Sequence, residues 1–122
     1  MKVNGLRAWN TNADNLDNMV SFYKEVLGAK EAITHTVGGV TVSRLSLGGS
    51  TIGLFDASGG PRPGVPHHTF SIEGPADSAD LIKELEAKGV VVDGVRPHEE
   101  DSGYSVYLND PSGNRIELST SP

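Results

Sequence analysis

The sequence predicts an α+β fold of two βαβββ modules whose sheets curve around a common cleft. Three observations carry this. The apolar pattern runs strand, helix, strand, strand, strand in each half. Landmarks recur about sixty residues apart: Gly28 and Gly89 end the helices, and Ile52-Gly53-Leu54 aligns with Ile116-Glu117-Leu118. A Gly/Pro-rich stretch without periodicity, Ala57 to Val65, stands at mid-chain. The expected organisation is module 1 over residues 1–57, a linker over 58–65 and module 2 over 66–122.

In order, residues 3–11 read as a short strand. Asn12 to Asn15 is a polar turn rich in helix-capping types. A helix follows from Asp17 to Leu27, with Leu16, Val20, Tyr23 and Leu27 at helical spacing and Gly28 as its stop. Glu31 to Val37 alternates and Gly38-Gly39 makes a hairpin turn. Val40 to Leu47 and Thr51 to Asp56 are the next strands. In the second half, Pro66 to Glu73 is a strand. A helix begins in Gly74-Pro75-Ala76-Asp77 and runs to Lys88, on an apolar face of Leu81, Ile82 and Leu85. Val90-Val91-Val92 opens a strand. Glu99-Glu100-Asp101-Ser102-Gly103 is an acidic, solvated loop, with His98 exposed beside it. Tyr104 to Asn109 and Arg115 to Thr120 are strands around the turn Asp110-Pro111-Ser112-Gly113.

Composition narrows the function. The 122 residues fit one compact domain. Net charge is −6 with no basic run, which argues against nucleic acid and anionic membrane surfaces as partners. There is no cysteine, so disulfides, zinc–thiolate sites and thiol nucleophiles are excluded. The first residues lack the apolar core of a signal peptide, so a cytoplasmic location is expected. A cleft between paired modules is the default site for a small molecule.

Three stretches carry a family resemblance: Asn15 to Tyr23 with Val26-Leu27-Gly28, His67-His68-Thr69-Phe70-Ser71-Ile72, and Asn109 to Leu118. Together they resemble the vicinal oxygen chelate superfamily, which includes glyoxalase I, bleomycin-resistance proteins, fosfomycin-resistance transferases and extradiol dioxygenases. The resemblance implies the cup-shaped fold, a homodimer and, in metal-using members, four ligands. These are a His opening the first strand of each module and a Glu on the last. The pattern carries over at His67 and Glu117. In the first half the His position falls on Ala8 or Arg7, and the Glu position falls on Gly53.

Two readings follow from that resemblance. In one, the chain binds a small molecule with an incomplete metal site. In the other, His67 and Glu117 hold one divalent ion (Fe, Ni, Mn or Zn) for lyase, isomerase or dioxygenase chemistry. His68 or His35 could add a ligand, but His67 and His68 point to opposite faces of a strand. Glu117 is the catalytic candidate, as general base or metal ligand. Arg7, Trp9, His67, Ser105 and Tyr107 are the ligand-binding candidates. If Arg7 holds the cleft position, Trp9 shares its face and stacks on a planar ligand. If Ala8 holds it, Trp9 packs against the helix. Ser105 and Tyr107 share the cleft face of their strand, leaving Tyr104, Val106 and Leu108 to the helix layer.

Overall fold

The computed structural model describes residues 1–99 and 101–120; Glu100 of the acidic loop lies outside them. The elements are β1 (Lys2–Ala13), α1 (Leu16–Glu25), β2 (Lys30–Val37), β3 (Val40–Leu47), β4 (Ser50–Asp56), β5 (His67–Glu73), α2 (Ser78–Ala87), β6 (Val92–Pro97), β7 (Tyr104–Asn109) and β8 (Arg115–Ser119). This is the α+β, twofold βαβββ order that the periodicity predicts. Two compact units divide the chain: Ala8–His67, here the amino-terminal unit, and Met1–Arg7 with His68 onward, here the carboxy-terminal unit. No helix among the described residues is long and apolar enough to cross a membrane.

In the amino-terminal unit the strand order is β2-β3-β4-β1. β2/β3 and β3/β4 are antiparallel and β1/β4 is parallel, with Asn10 opposite Gly53. The Gly38-Gly39 turn has φ of +56° and +80°, the left-handed region that glycine enters without steric cost. Alternation along β3 and β4 sends Leu45, Ile52 and Leu54 to a core beneath α1, which lays Leu16, Met19, Val20 and Tyr23 on it.

Helix α1 starts one residue before the expected Asp17 and ends two residues before the expected Leu27. Asn15 caps its start by accepting from the Asn18 amide, and Val26 closes the last turn onto Phe22. Gly28 then turns left-handed, and Leu27 falls outside. The Gly/Pro stretch is tied to β1 through Asn12. Its Oδ1 accepts from the Arg62 amide and its Nδ2 donates to the Val65 carbonyl, both at 3.2 Å.

In the carboxy-terminal unit β5, β8, β7 and β6 lie in that order. Ile72, Tyr104, Val106, Leu108 and Leu118 form the core with Leu81 and Leu85 of α2. Helix α2 starts later than expected. Asp77 has extended backbone and its carboxylate accepts from the Ala79 amide, so Pro75 precedes the helix and its carbonyl accepts from the Tyr104 hydroxyl at 2.7 Å. β6 likewise opens at Val92, because the Val90 amide is bonded back to Leu85 at the helix end.

Leu81 is fully buried and Val26 is 65% exposed. Replacing Leu81 with Ala is expected to cost about 2–5 kcal/mol, and Val26→Ala within about 0.5 kcal/mol of zero, in urea unfolding.

Candidate functional site

Glu117 is the centre of the carboxy-terminal unit's polar face. In β8, Ile116 and Leu118 point to the α2 core, so Arg115, Glu117 and Ser119 point the other way. The same alternation in β7 leaves Ser105 and Tyr107 on that face, with Tyr107 directly opposite Glu117 and Ser105 opposite Ser119. Glu117 is 7% exposed. A buried carboxylate needs a hydrogen bond for each oxygen, and both have one. Oε1 accepts from Thr69 Oγ1 at 3.0 Å and Oε2 accepts from Ser105 Oγ at 2.7 Å. The Arg96 guanidinium lies 3.6 Å from Oε2 and also donates from Nε to the Tyr107 hydroxyl at 3.2 Å. Arg7 donates to the Ser119 hydroxyl at 3.1 Å, one step along the same face of β8.

Behind Ser105 stands His98, and here the structure corrects the expectation of an exposed ring. His98 is 8% exposed. Its Nε2 lies 2.8 Å from Ser105 Oγ and its Nδ1 lies 2.8 Å from Asp101 Oδ1. Ser105 has one hydroxyl proton and gives it to Glu117. His98 links that hydroxyl to the Asp101 carboxylate through its two ring nitrogens. The Gly103 amide bond to Asp101 holds that carboxyl below the usual carboxylate range, and His98 and Arg7 add to the effect. The Asp101–His98–Ser105 spacing resembles a nucleophilic triad, but Ser105 is completely buried and its proton is taken. The chain of groups positions Glu117 instead.

The amino-terminal unit presents a different face. Where the carboxylate position recurs, Gly53 has no side chain, and a Cβ there would run into the Asn10 carboxamide and lie 3.0 Å from Arg44 NH1. Asn10 is 3% exposed. Its Nδ2 donates to His67 Nε2 at 2.9 Å, and its Oδ1 accepts from Arg44 NH1 at 3.3 Å. His67 Nδ1 donates to the Gly64 carbonyl at 3.0 Å, which makes Nε2 the acceptor. Arg44 Nε donates to His35 Nε2 at 2.8 Å, and burial, then the Arg44 charge, lower the His35 pKa. The guanidinium carbons of Arg44 and Arg62 each lie 5.9 Å from the centre of the Phe55 ring. Trp9 meets Tyr23 of α1 edge-on at 6.1 Å, on the helix side of the sheet.

Ser105, Tyr107 and Glu117 are thus neighbours on one face, and Arg7 adjoins their strand. His67 belongs to the Asn10–Arg44 network, and Trp9 to the α1 core. Thr69, Arg96, His98, Asp101, Asn10 and Arg44 join these networks without a motif of their own. Only the alternation placed some of them: Thr69 shares a strand face with His67, and Arg44 stands opposite Gly53. A cavity of about 320 Å³ at the start of α1, lined by Asp14, Asp17 and Asp56 among others, contains none of the six candidates.

No group of three or more His, Asp or Glu side chains arranged to hold a metal occurs among the described residues. The Gly53 position supplies no carboxylate, and a guanidinium, which repels a cation, leans over it. The His67 acceptor nitrogen already faces the Asn10 amide. The residues present do not fit the four-ligand arrangement.

A sequence model described as the Glyoxalase/Bleomycin resistance protein/Dioxygenase superfamily matches residues 9–118. The metallothiol transferase FosB of Shouchella clausii is 29% identical over 123 residues, covering 97% of this chain and 81% of that protein. FosB of Staphylococcus epidermidis is 29% identical over 108 residues, covering 86% and 73%. The crystal structure of methylmalonyl-CoA epimerase from Mycobacterium tuberculosis superposes with a TM-score of 0.74 over 98% of this chain and 89% of that one, at 17% identity. That likeness concerns the fold.

Ser105→Ala is expected to cost about 1–3 kcal/mol in chemical denaturation, because it strips a partner from both Glu117 and His98. Asp101 has a lowered folded-state pKa, so its contribution is complete above the ordinary carboxylate range and is lost as pH falls through the folded value. Asp101→Asn is therefore expected to flatten the acid limb of the melting temperature against pH.

Proposed function

The chain belongs to the Glyoxalase/Bleomycin resistance protein/Dioxygenase superfamily, and from that premise we propose that it binds a small molecule through its own side chains, without the superfamily's divalent metal. One observation carries this reading. Above Gly53, where metal-using relatives place a carboxylate, stand a carboxamide and a guanidinium. A position that would supply negative charge to a cation supplies positive charge here. On the carboxy-terminal unit, Arg7 and Tyr107 are the side chains proposed to meet ligand, while Ser105, completely buried, holds Glu117; His67 is proposed separately as the contact of the amino-terminal unit. Trp9, packed on Tyr23 one residue before Asn10, is the reporter of binding rather than the stacking surface. A homodimer and a cytoplasmic location belong to the same proposal.

The second reading is a metal-dependent enzyme, of the lyase, isomerase or dioxygenase type or a thiol transferase. It draws on the likeness to two metallothiol transferases. In it, Glu117 and His67 are ligands and Glu117 is essential.

Metal analysis separates the two. Protein purified without a chelating column and incubated with nickel, manganese, zinc or iron is expected to retain far less than one ion per chain after desalting. A near-stoichiometric ion, lost in both His67→Ala and Glu117→Gln, overturns the metal-free reading. In the metal-free protein, a ligand screen read by Trp9 fluorescence is expected to return a saturable binder.

A further inference from the structure

We propose that strand β2 is an interface: it pairs antiparallel with β2 of a second copy of this chain, about a twofold axis through His35. The inference deepens the homodimer of the reading above by naming the surface that makes it. It lies wholly within the amino-terminal unit.

β2 ends the strand order β2-β3-β4-β1, and among the described residues its ladder is with β3 alone. An outer strand keeps a row of unpaired amides and carbonyls, a template for a further strand unless something blunts it. Nothing blunts β2 from Ile33 to Val37. The ladder runs there without a bulge, and the stretch holds no proline, glycine or permanently charged residue. Ile33 is 52% exposed. The outer strand of the carboxy-terminal unit is the contrast. β6 has a register shift between Val92 and Gly94, charges at Asp93 and Arg96, and Pro97 at its end.

The residues themselves select the occupant. Ile33-Thr34-His35-Thr36-Val37 reads nearly the same in both directions. A twofold interface needs such self-complementarity, because one patch must fit itself. Centred on His35, antiparallel pairing sets Ile33 against Val37 of the second copy and Thr34 against Thr36 of the second copy. β-Branched pairs and Thr–Thr pairs are among those that stabilise a sheet. The backbone agrees. Gly38 and Gly39, with φ of +56° and +80°, make a two-residue turn closed by the Val37–Val40 pair. Such a closing pair exchanges both backbone bonds. Alternation along the ladder then turns Ile33, His35 and Val37 to β3, and the amides and carbonyls of Thr34 and Thr36 outward. Each Thr34 meets a Thr36 with which it exchanges both bonds, and the His35 residues face each other across the axis. Arg44 donates to His35 Nε2, and burial, then the Arg44 charge, lower the His35 pKa. Neutral rings therefore meet there, without the repulsion of like charges.

Sedimentation velocity across a concentration series tests the interface. The parent is expected to be a dimer that dissociates on dilution. Thr36→Pro removes an outward amide and spares the β3 ladder. It is expected to keep the circular dichroism of the parent and to weaken the dimer by about tenfold or more. Val95→Lys, on β6, should dimerise as the parent does. The chain has no cysteine, so single introduced cysteines report the register. His35→Cys is expected to form a disulfide-linked dimer with diamide, because such antiparallel pairs bring Cα atoms to about 4.5 Å. Ile33→Cys should cross-link to Val37→Cys in a mixture and scarcely to itself. If Thr36→Pro does not fold, the cross-links decide. A dimer that ignores Thr36→Pro and gives neither cross-link, or one lost in Val95→Lys instead, overturns this interface alone. A monomer at every concentration overturns both the interface and the homodimer above, and leaves metal-free binding to the metal analysis.

Discussion

A carboxylate inside a sheet must be provided for, and Glu117 imposes that requirement on the whole carboxy-terminal unit. Leaving an ionised group buried and unpaired costs several kcal/mol, enough to cancel a large share of a small domain's stability. Three strands answer it: β5 with Thr69, β7 with Ser105 and β6 with Arg96. Ser105 in turn needs His98, and His98 needs Asp101. The polar face is therefore a single connected network. A change at its edge is felt at its centre, because each hydroxyl has only one proton to give.

The amino-terminal unit shows the same scaffold with that requirement removed. With glycine at 53 there is no charge to satisfy, and the vacated volume goes to Asn10 and Arg44. Asn10 is suited to this because an amide gives and accepts at once: it donates to His67 and accepts from Arg44. Arg44 brings a guanidinium to this face, and the guanidinium carbons of Arg44 and Arg62 each lie 5.9 Å from the centre of the Phe55 ring. Two units of like topology have come to present an acceptor-centred face and a donor-centred face. The difference traces to one side chain present in one and missing from the other.

The helices follow similar logic of local demand. Each begins at an Asn or Asp side chain that satisfies an early amide, at Asn15 and Asp77, and each is followed by a glycine in the left-handed region. α2 buries Leu81 and Leu85 completely or nearly so, whereas α1 buries none of its residues and leaves Phe22, and Val26 at its C-cap, exposed. Propensity alone would make them equivalent. Packing against different sheets makes them unequal.

Element order, the turns and the helix-facing sides of β7 and β8 were legible in the sequence, since they depend on periodicity and on glycine and proline, which act locally. Gly53 and Glu117 could also be matched, because a twofold repeat aligns them. The partners of those positions could not be read. His98 sits beside an acidic loop and looks solvent-facing in one dimension, yet the β6–β7 connection turns it under Ser105. Arg62 lies in a stretch with no pattern, and its amide bond to Asn12 and its guanidinium bond to the Gly38 carbonyl place it near Phe55. Trp9 had two open placements, and packing against Tyr23 is a matter of which face of β1 the helix covers. Sequence determines what each strand can offer to either face. Which offered groups meet is decided by register between strands distant in the chain, and that register is a property of the folded sheet alone.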